Sequence, residues 1–257
     1  MQHNMTTPFH PSWPHIVGEI AREAGALIMQ VREGALQVEQ KADDSPVTLA
    51  DRLADAYICE QLAHLSRDIP IVSEEGAQVG GAECFWCVDP LDGTKGFIRG
   101  GDEFTVNIAL IYQGLPVMGV IYIPPTDRLY VGVVGEQAIR YAHGQTTVLR
   151  VRTPAQGQVV GLLSHHHNAE KLATIKARFG ITEVTTASSS LKFCRVAEGV
   201  ADVYPRFGTT MEWDTAAGHA IVKAAGGRVT LLEGEAELRY GKQGFINPHF
   251  VVWGQIK

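Results

Sequence analysis

The middle of the chain constrains its fold most. Phe104–Tyr112, Val117–Ile123, Leu129–Val134 and Ala138–Tyr141 are four short β-type runs. Gln113-Gly114, Pro124-Pro125, Gly135 and His143-Gly144 punctuate them, so the stretch reads as an antiparallel meander. Ahead of it, Ile16, Val17, Ile20, Ala21, Ala24, Leu27, Ile28 and Val31 recur at helical steps and predict a helix from Ser12–Pro14 to Gly34. Leu53, Ala54, Tyr57, Ile58, Leu62 and Leu65 predict a second helix, with Thr48-x-x-Asp51 as its capping box. Short strands follow at Ile69–Ser73 and Cys84–Val88, the latter ending at Asp89-Pro90. Beyond Arg152–Gly157 strand and helix alternate. Strands are expected at Val159–Ser164, Ile181–Thr185, Ala201–Pro205, Arg228–Leu232 and Phe250–Gly254. Helices are expected at Ala169–Phe179, Ser190–Glu198 and Thr215–Ala225. The predicted class is α/β, in an α+β layered arrangement around a cleft between two lobes, residues 1–150 and 151–257.

Composition narrows the partners. A chain of 257 residues should bury roughly 70–75% of its unfolded surface, so it needs no disulfide or metal staple to fold. Apolar residues at 45% and charged residues at 19% exclude disorder, collagen and coiled coil. A formal charge of −6 without a basic run argues against a nucleic-acid polymer, though not against a small anion recruited through a metal. Met1–Pro14 is polar and has no signal-peptide pattern. No stretch reaches the ~20 apolar residues of a membrane span. The expected location is cytoplasmic, or peripheral at the inner face of the membrane. Cys84-x-x-Cys87 has redox or zinc spacing, but Phe85 and Trp86 between the thiols suggest a buried strand. His165-His166-His167 reads as a polar loop, because adjacent residues cannot all face one ion.

The chemistry concentrates in Asp89-Pro90-Leu91-Asp92-Gly93-Thr94-Lys95. Two carboxylates three residues apart follow a strand, and hard oxygen ligands of this kind suit Mg²⁺. Gly93 allows close approach, and a helix opening at Asp92–Thr94 would offer free N–H groups to an anion. An Asx-capped turn would explain the same residues without chemistry. Glu74-Glu75 at a strand end could be a solvated loop, and Asp214 in Trp213-Asp214-Thr215-Ala216-Ala217-Gly218 an N-cap. Ser188–Lys192 opens a helix with serines and a lysine, which suits either capping or a second phosphate.

Together these segments closely resemble the lithium-sensitive, Mg²⁺-dependent inositol monophosphatase superfamily, with its Asp-Pro-x-Asp-Gly-Thr and Trp-Asp-x-Ala-Ala-Gly signatures. Lys41–Asp51, Glu74-Glu75, Asp89–Phe97, Glu103–Ile111, Ser189–Glu198 and Tyr204–Gly218 look most like its CysQ-type 3'(2'),5'-bisphosphate nucleotidases. Gly96 departs from that subgroup, where bacterial members commonly have Glu. The resemblance runs from about residue 15 to the C-terminus. It implies an αβαβα sandwich and hydrolysis of the 3'-phosphate of adenosine 3',5'-bisphosphate by an activated water. It also implies two or three Mg²⁺ ions and a monomer or homodimer. Glu74, Asp89 and the Leu91 carbonyl would hold the first Mg²⁺; Asp89, Asp92 and Asp214 the second. Glu74 would thus serve both the metal and catalysis. Gly93 and Thr94 N–H groups would grip the phosphate, and Thr94 with Asp51 would orient the water. Glu74, Leu91, Asp92, Gly93, Thr94, Ser190, Lys192 and Asp214 would contact substrate. Glu212 could meet sugar hydroxyls, and Lys41 would lie near a third metal position. An inositol or sugar monophosphatase is the alternative within the class, and a non-enzymatic metal- or nucleotide-binding protein the alternative outside it.

Overall fold

A computed structural model describes residues 9–34, 38–40, 46–76, 81–163 and 169–256. Lys41, Ser164 and the His165–His167 trio lie outside the described residues. Helix α1 (Trp13–Glu33) buries Val17, Ile20, Ala21, Ala24 and Ile28 along one stripe. Strands β1 (Val38–Gln40) and β2 (Pro46–Thr48) form a separate antiparallel pair. Helix α2 (Leu49–Leu65) starts on the expected box: Thr48 Oγ1 accepts from Ala50 and Asp51 N–H, and Asp51 Oδ2 accepts from Thr48 N–H.

The meander forms. Strands β3 (Ile71–Ser73), β4 (Cys84–Asp92), β5 (Thr105–Tyr112), β6 (Leu115–Ile123), β7 (Arg128–Val133), β8 (Ala138–Ala142) and β9 (Gln145–Leu149) lie in chain order in one sheet. Only β3 and β4 run parallel; the others pair antiparallel. Strand β9 escaped the sequence because four of its five residues are exposed and show no apolar alternation. Strand β4 also runs past its expected end at Asp89, for a reason that belongs to the site.

The second half builds β10 (Val159–Leu163), α4 (Ala169–Phe179), β11 (Ile181–Thr186), α5 (Leu191–Ala197), β12 (Val203–Arg206), α6 (Ala216–Ala224), β13 (Arg228–Leu231) and β14 (Phe250–Trp253). Its five strands are ordered β11-β10-β12-β14-β13. Three apolar clusters show the layering. One joins α1 and α2 to one face of the large sheet. A second joins the opposite face, through α5 and α6, to the small sheet. The third covers the outer face of the small sheet with α4. The stack is therefore α-β-α-β-α, as expected. Helix α6 sits unusually close to the large sheet because Gly119 and Gly132, cross-strand partners on β6 and β7, carry no side chain. A Cβ on Gly119 would lie 2.3 Å from Ala217 O, and one on Gly132 2.5 Å from Ile221 Cα. No helix of the described residues is long and apolar enough to cross a membrane.

Candidate active site

The site begins at a fault in β4. Asp89 pairs with Asn107 and Asp92 with Thr105, so three steps on β4 oppose two on β5. Pro90 has no N–H to give the ladder, and the extra residue bulges out. The sequence read this as the strand's end; it is a bulge within the strand, and it turns the backbone at both carboxylates. Asp89 Oδ1 accepts from Leu91 N–H at 3.1 Å. Gly93 then takes φ 97°, and a Cβ there would meet Glu103 O at 2.9 Å, so only glycine fits. Helix α3 (Thr94–Ile98) follows, and Thr94 Oγ1 lies 3.1 Å from both Asp51 Oδ1 and Leu91 O. Asp51 thus uses one oxygen for its helix cap and the other for Thr94.

Two further elements bring acids to this bulge. Glu74 follows β3, with its N–H on Val88 O. Asp214 precedes α6 and accepts from Met211 N–H at 2.8 Å. Burial, then the charges of Glu74, Asp92, Asp214 and Asp51, pushes the Asp89 carboxyl well above the usual carboxylate range. Burial, then Asp92, raises Asp214 to about 8. Arg206 offsets only part of this at Asp214, so acids that raise one another share one place with negative charge in excess, which a divalent cation would balance. The donor set therefore fits Mg²⁺. Among the described residues no three acidic, His or Cys side chains stand as a closed ligand shell. Two of the acids are turned to other donors: Asp92 Oδ2 accepts from Ser190 N–H, and Asp214 Oδ2 from Met211 N–H.

Beside the acids lies a cationic wall. A cleft of about 160 Å³ is lined by Asp92 and Asp214 together with Lys192, Tyr204 and Arg206. Lys192 is buried, stands over the Tyr204 ring and reaches Ser189 O at 3.3 Å. Burial lowers its ammonium to about 8, partly offset by Asp92. Arg206 is held by the carbonyls of Gly208 and Thr209. Tyr204 and Arg206 lie side by side at the end of β12. Only their place in the sheet, which the sequence does not reveal, brings them to Lys192. A larger hollow of about 360 Å³, between the start of α1 and β7–β8, brings none of these residues together.

Two expectations change. Ser190 is buried and faces away from the cleft: its hydroxyl meets Thr105 and Asn107, and it makes no cap bond. Ser189 takes its place in the cleft, with a left-handed φ of 56° and its hydroxyl on Asp92. Glu212 cannot reach a sugar. It is fully buried and accepts from Gly241 N–H, Lys242 N–H and Lys242 Nζ. The thiols divide as well. Cys84 packs toward α1 and α2, while Cys87 lies in the core on the other face of the sheet. Residues three apart on one strand point to opposite faces, so the pair cannot hold one ion.

Known proteins share this sequence pattern and this fold. The inositol monophosphatase family model matches residues 15–255. The 3'(2'),5'-bisphosphate nucleotidase CysQ of Salmonella typhimurium is 45% identical over 242 residues, 92% of this chain and 97% of that protein. The crystal structure of CysQ from Bacteroides thetaiotaomicron superposes with a TM-score of 0.83 at 36% identity, covering 98% of this chain and all of that one. A Thermotoga maritima inositol monophosphatase gives 0.76 at 25% identity, covering 93% and 91%.

Proposed function

This chain belongs to the inositol monophosphatase family, and on that premise we propose that it is a 3'(2'),5'-bisphosphate nucleotidase. Members of the family are metal-dependent phosphatases. The substrate proposed is adenosine 3',5'-bisphosphate, which loses its 3'-phosphate to give AMP. One observation carries this choice over an inositol or sugar monophosphate. Lys192 and Arg206 line the same cleft as Asp92 and Asp214, so a second anion has cations to meet beside the acids that would hold the metals. A substrate with a single phosphate would leave those two cations unused.

Glu74, Asp89 and the Leu91 carbonyl are assigned to one Mg²⁺, and Asp89, Asp92 and Asp214 to a second. Bound Mg²⁺ lowers the pKa of water and offsets phosphate charge. The chain's own residues do the rest. Thr94 Oγ1 gives its proton to Asp51 or Leu91 O, so its lone pairs are free to accept from the attacking water. N–H groups of Gly93 and Thr94, in the first turn of α3, grip the 3'-phosphate. Lys192 and Arg206 hold the 5'-phosphate, which fixes the ribose between the two walls. The water adds to phosphorus, passing a proton to Asp51 by way of Thr94, as the 3'-oxygen leaves and takes up a proton from solvent; no phosphoenzyme is required. Glu74, Asp89, Asp92 and α3 belong to the lobe 1–150, Asp214, Lys192 and Arg206 to the lobe 151–257, and the location proposed is cytoplasmic.

The test is phosphate release from adenosine 3',5'-bisphosphate against inositol 1-phosphate at equal Mg²⁺. Preference for the bisphosphate is expected; preference for inositol 1-phosphate overturns the assignment.

A further inference from the structure

Behind the cleft, Asn107 is buried on β5 directly opposite Asp89. Two hydroxyls meet its amide oxygen as the structure places it: Thr105 Oγ1 at 3.0 Å and Ser190 Oγ at 2.9 Å. Those hydroxyl oxygens lie 2.7 Å from each other. The amide nitrogen is buried without a partner.

The protons do not fit that orientation. Each hydroxyl carries one proton. If both go to the amide oxygen, none lies between two oxygens 2.7 Å apart, and their lone pairs collide. Ser189 cannot supply the missing proton, because its hydroxyl is given to Asp92 Oδ2. Two amide protons would also remain buried and unbonded.

Oxygen and nitrogen of an amide have nearly the same shape, so proton accounting decides between them. With the amide turned over, every donor is used. The nitrogen lies 2.9 and 3.0 Å from the two hydroxyls, ordinary N–H···O lengths, and because those oxygens are only 2.7 Å apart its two N–H bonds meet them bent. Ser190 donates to Thr105 at 2.7 Å, an ordinary O–H···O length. Thr105 donates to Ser189 Oγ at 3.4 Å, and Ser189 to Asp92. One carbonyl oxygen is left unmatched, a commoner situation than an orphaned N–H.

We propose that Asn107 is a positioning residue: its amide nitrogen heads a one-way donor chain through Ser190, Thr105 and Ser189 that ends on the carboxylate of Asp92. The chain fixes Asp92 and, through Ser190, the start of α5 that carries Lys192. Its bearing on metal binding rests on the assignment of Asp92 given above; the amide orientation does not.

Two measurements test it. Neutron diffraction from a D₂O-exchanged crystal should place both deuterons of Asn107 toward Thr105 and Ser190; deuterons facing away overturn the proposal. Calorimetry of Mg²⁺ binding should then show Thr105→Val weakened roughly 10-fold, the scale for losing a group that orients a ligand, and Thr105→Ser close to the parent. Equal affinity in all three overturns the link to Asp92, as does a Thr105→Ser variant no better than Thr105→Val. Should Thr105→Val not fold, the neutron result on the parent protein still decides the orientation. If the parent prefers inositol 1-phosphate, the substrate assignment fails while both of these results stand.

Discussion

On one side of the site, Asp89, Leu91, Asp92, Gly93 and Thr94 come from six consecutive residues at one bulge, of which Asp92 lines the cleft. On the other, Lys192 comes from α5, and Tyr204 and Arg206 from β12. The first wall is made by local rules: a proline that breaks a ladder, a glycine at positive φ, a short helix opening on Thr94. The second is made by packing, where a helix and a strand end meet through the core. The local wall is read from sequence; of the packed wall only Lys192 is, while Tyr204 and Arg206 reach it through the fold. The two should also fail differently when altered, the first in turnover and the second in substrate affinity.

Asp92→Asn gives the largest effect. The amide keeps an acceptor for Ser190 N–H, so folding should survive. The charge is lost from the acid set, and kcat should fall by ~10³-fold or more, the scale of removing one preorganised electrostatic group. Circular dichroism and steady-state rates at saturating Mg²⁺ check this. Turnover within a few-fold of the parent would show that Asp92 is only a turn residue.

The packed wall should respond in KM. Lys192→Met and Arg206→Met each remove a charge-assisted bond worth ~1.5–3 kcal/mol, so KM for the bisphosphate should rise roughly 10- to 150-fold. Adenosine 3'-phosphate, which lacks the second phosphate, should be nearly indifferent. Equal damage to both substrates would mean that Lys192 and Arg206 serve the scissile phosphate instead.

How far the sequence reached follows the same division. The layers were legible because helical and strand periods switch cleanly along the chain, and β9 was missed because its exposed residues carry no period. Asp51, Asp89, Asp92, Thr94 and Asp214 were legible because each stands in a motif whose spacing makes chemical sense. Ser189 and Ser190 were not separable, since adjacent residues differ only in which faces the cleft, and that depends on the left-handed turn at Ser189. Glu212 was misread because its neighbour in sequence faces the site while its own side chain closes on residues 241–242.

The buried ammonium sharpens the comparison through pH. Burial lowers the Lys192 ammonium to about 8 in the folded protein. Above that value kcat/KM for the bisphosphate should fall about tenfold per pH unit, because the neutral amine no longer holds phosphate. Lys192→Arg, which stays charged, should flatten the limb. Stability moves the other way. The unfolded lysine keeps its proton to about pH 10.5, so between 8 and 10.5 the unfolded chain binds more protons and stability rises with pH. Thermal melts across that window, set beside the rate profile, check both signs. A rate profile flat to pH 10 would remove Lys192 from the substrate's second phosphate.

The smallest effect on catalysis should come from the two thiols that sequence spacing made conspicuous. Cys84 and Cys87 face opposite sides of the large sheet. Burial first, and then neighbouring acids, raise both: Cys84 to about 11, and Cys87 well above the usual thiol range. A thiol that stays protonated is a poor nucleophile and a poor metal ligand. The double variant Cys84→Ser, Cys87→Ser should therefore keep kcat and KM within about twofold while melting lower. The loss should come mainly from position 87, where a hydroxyl put in place of a fully buried thiol costs ~1–3 kcal/mol if it finds no partner. A collapse of turnover with the fold intact would show that Cys87, beneath Asp89, contributes to the acid wall after all.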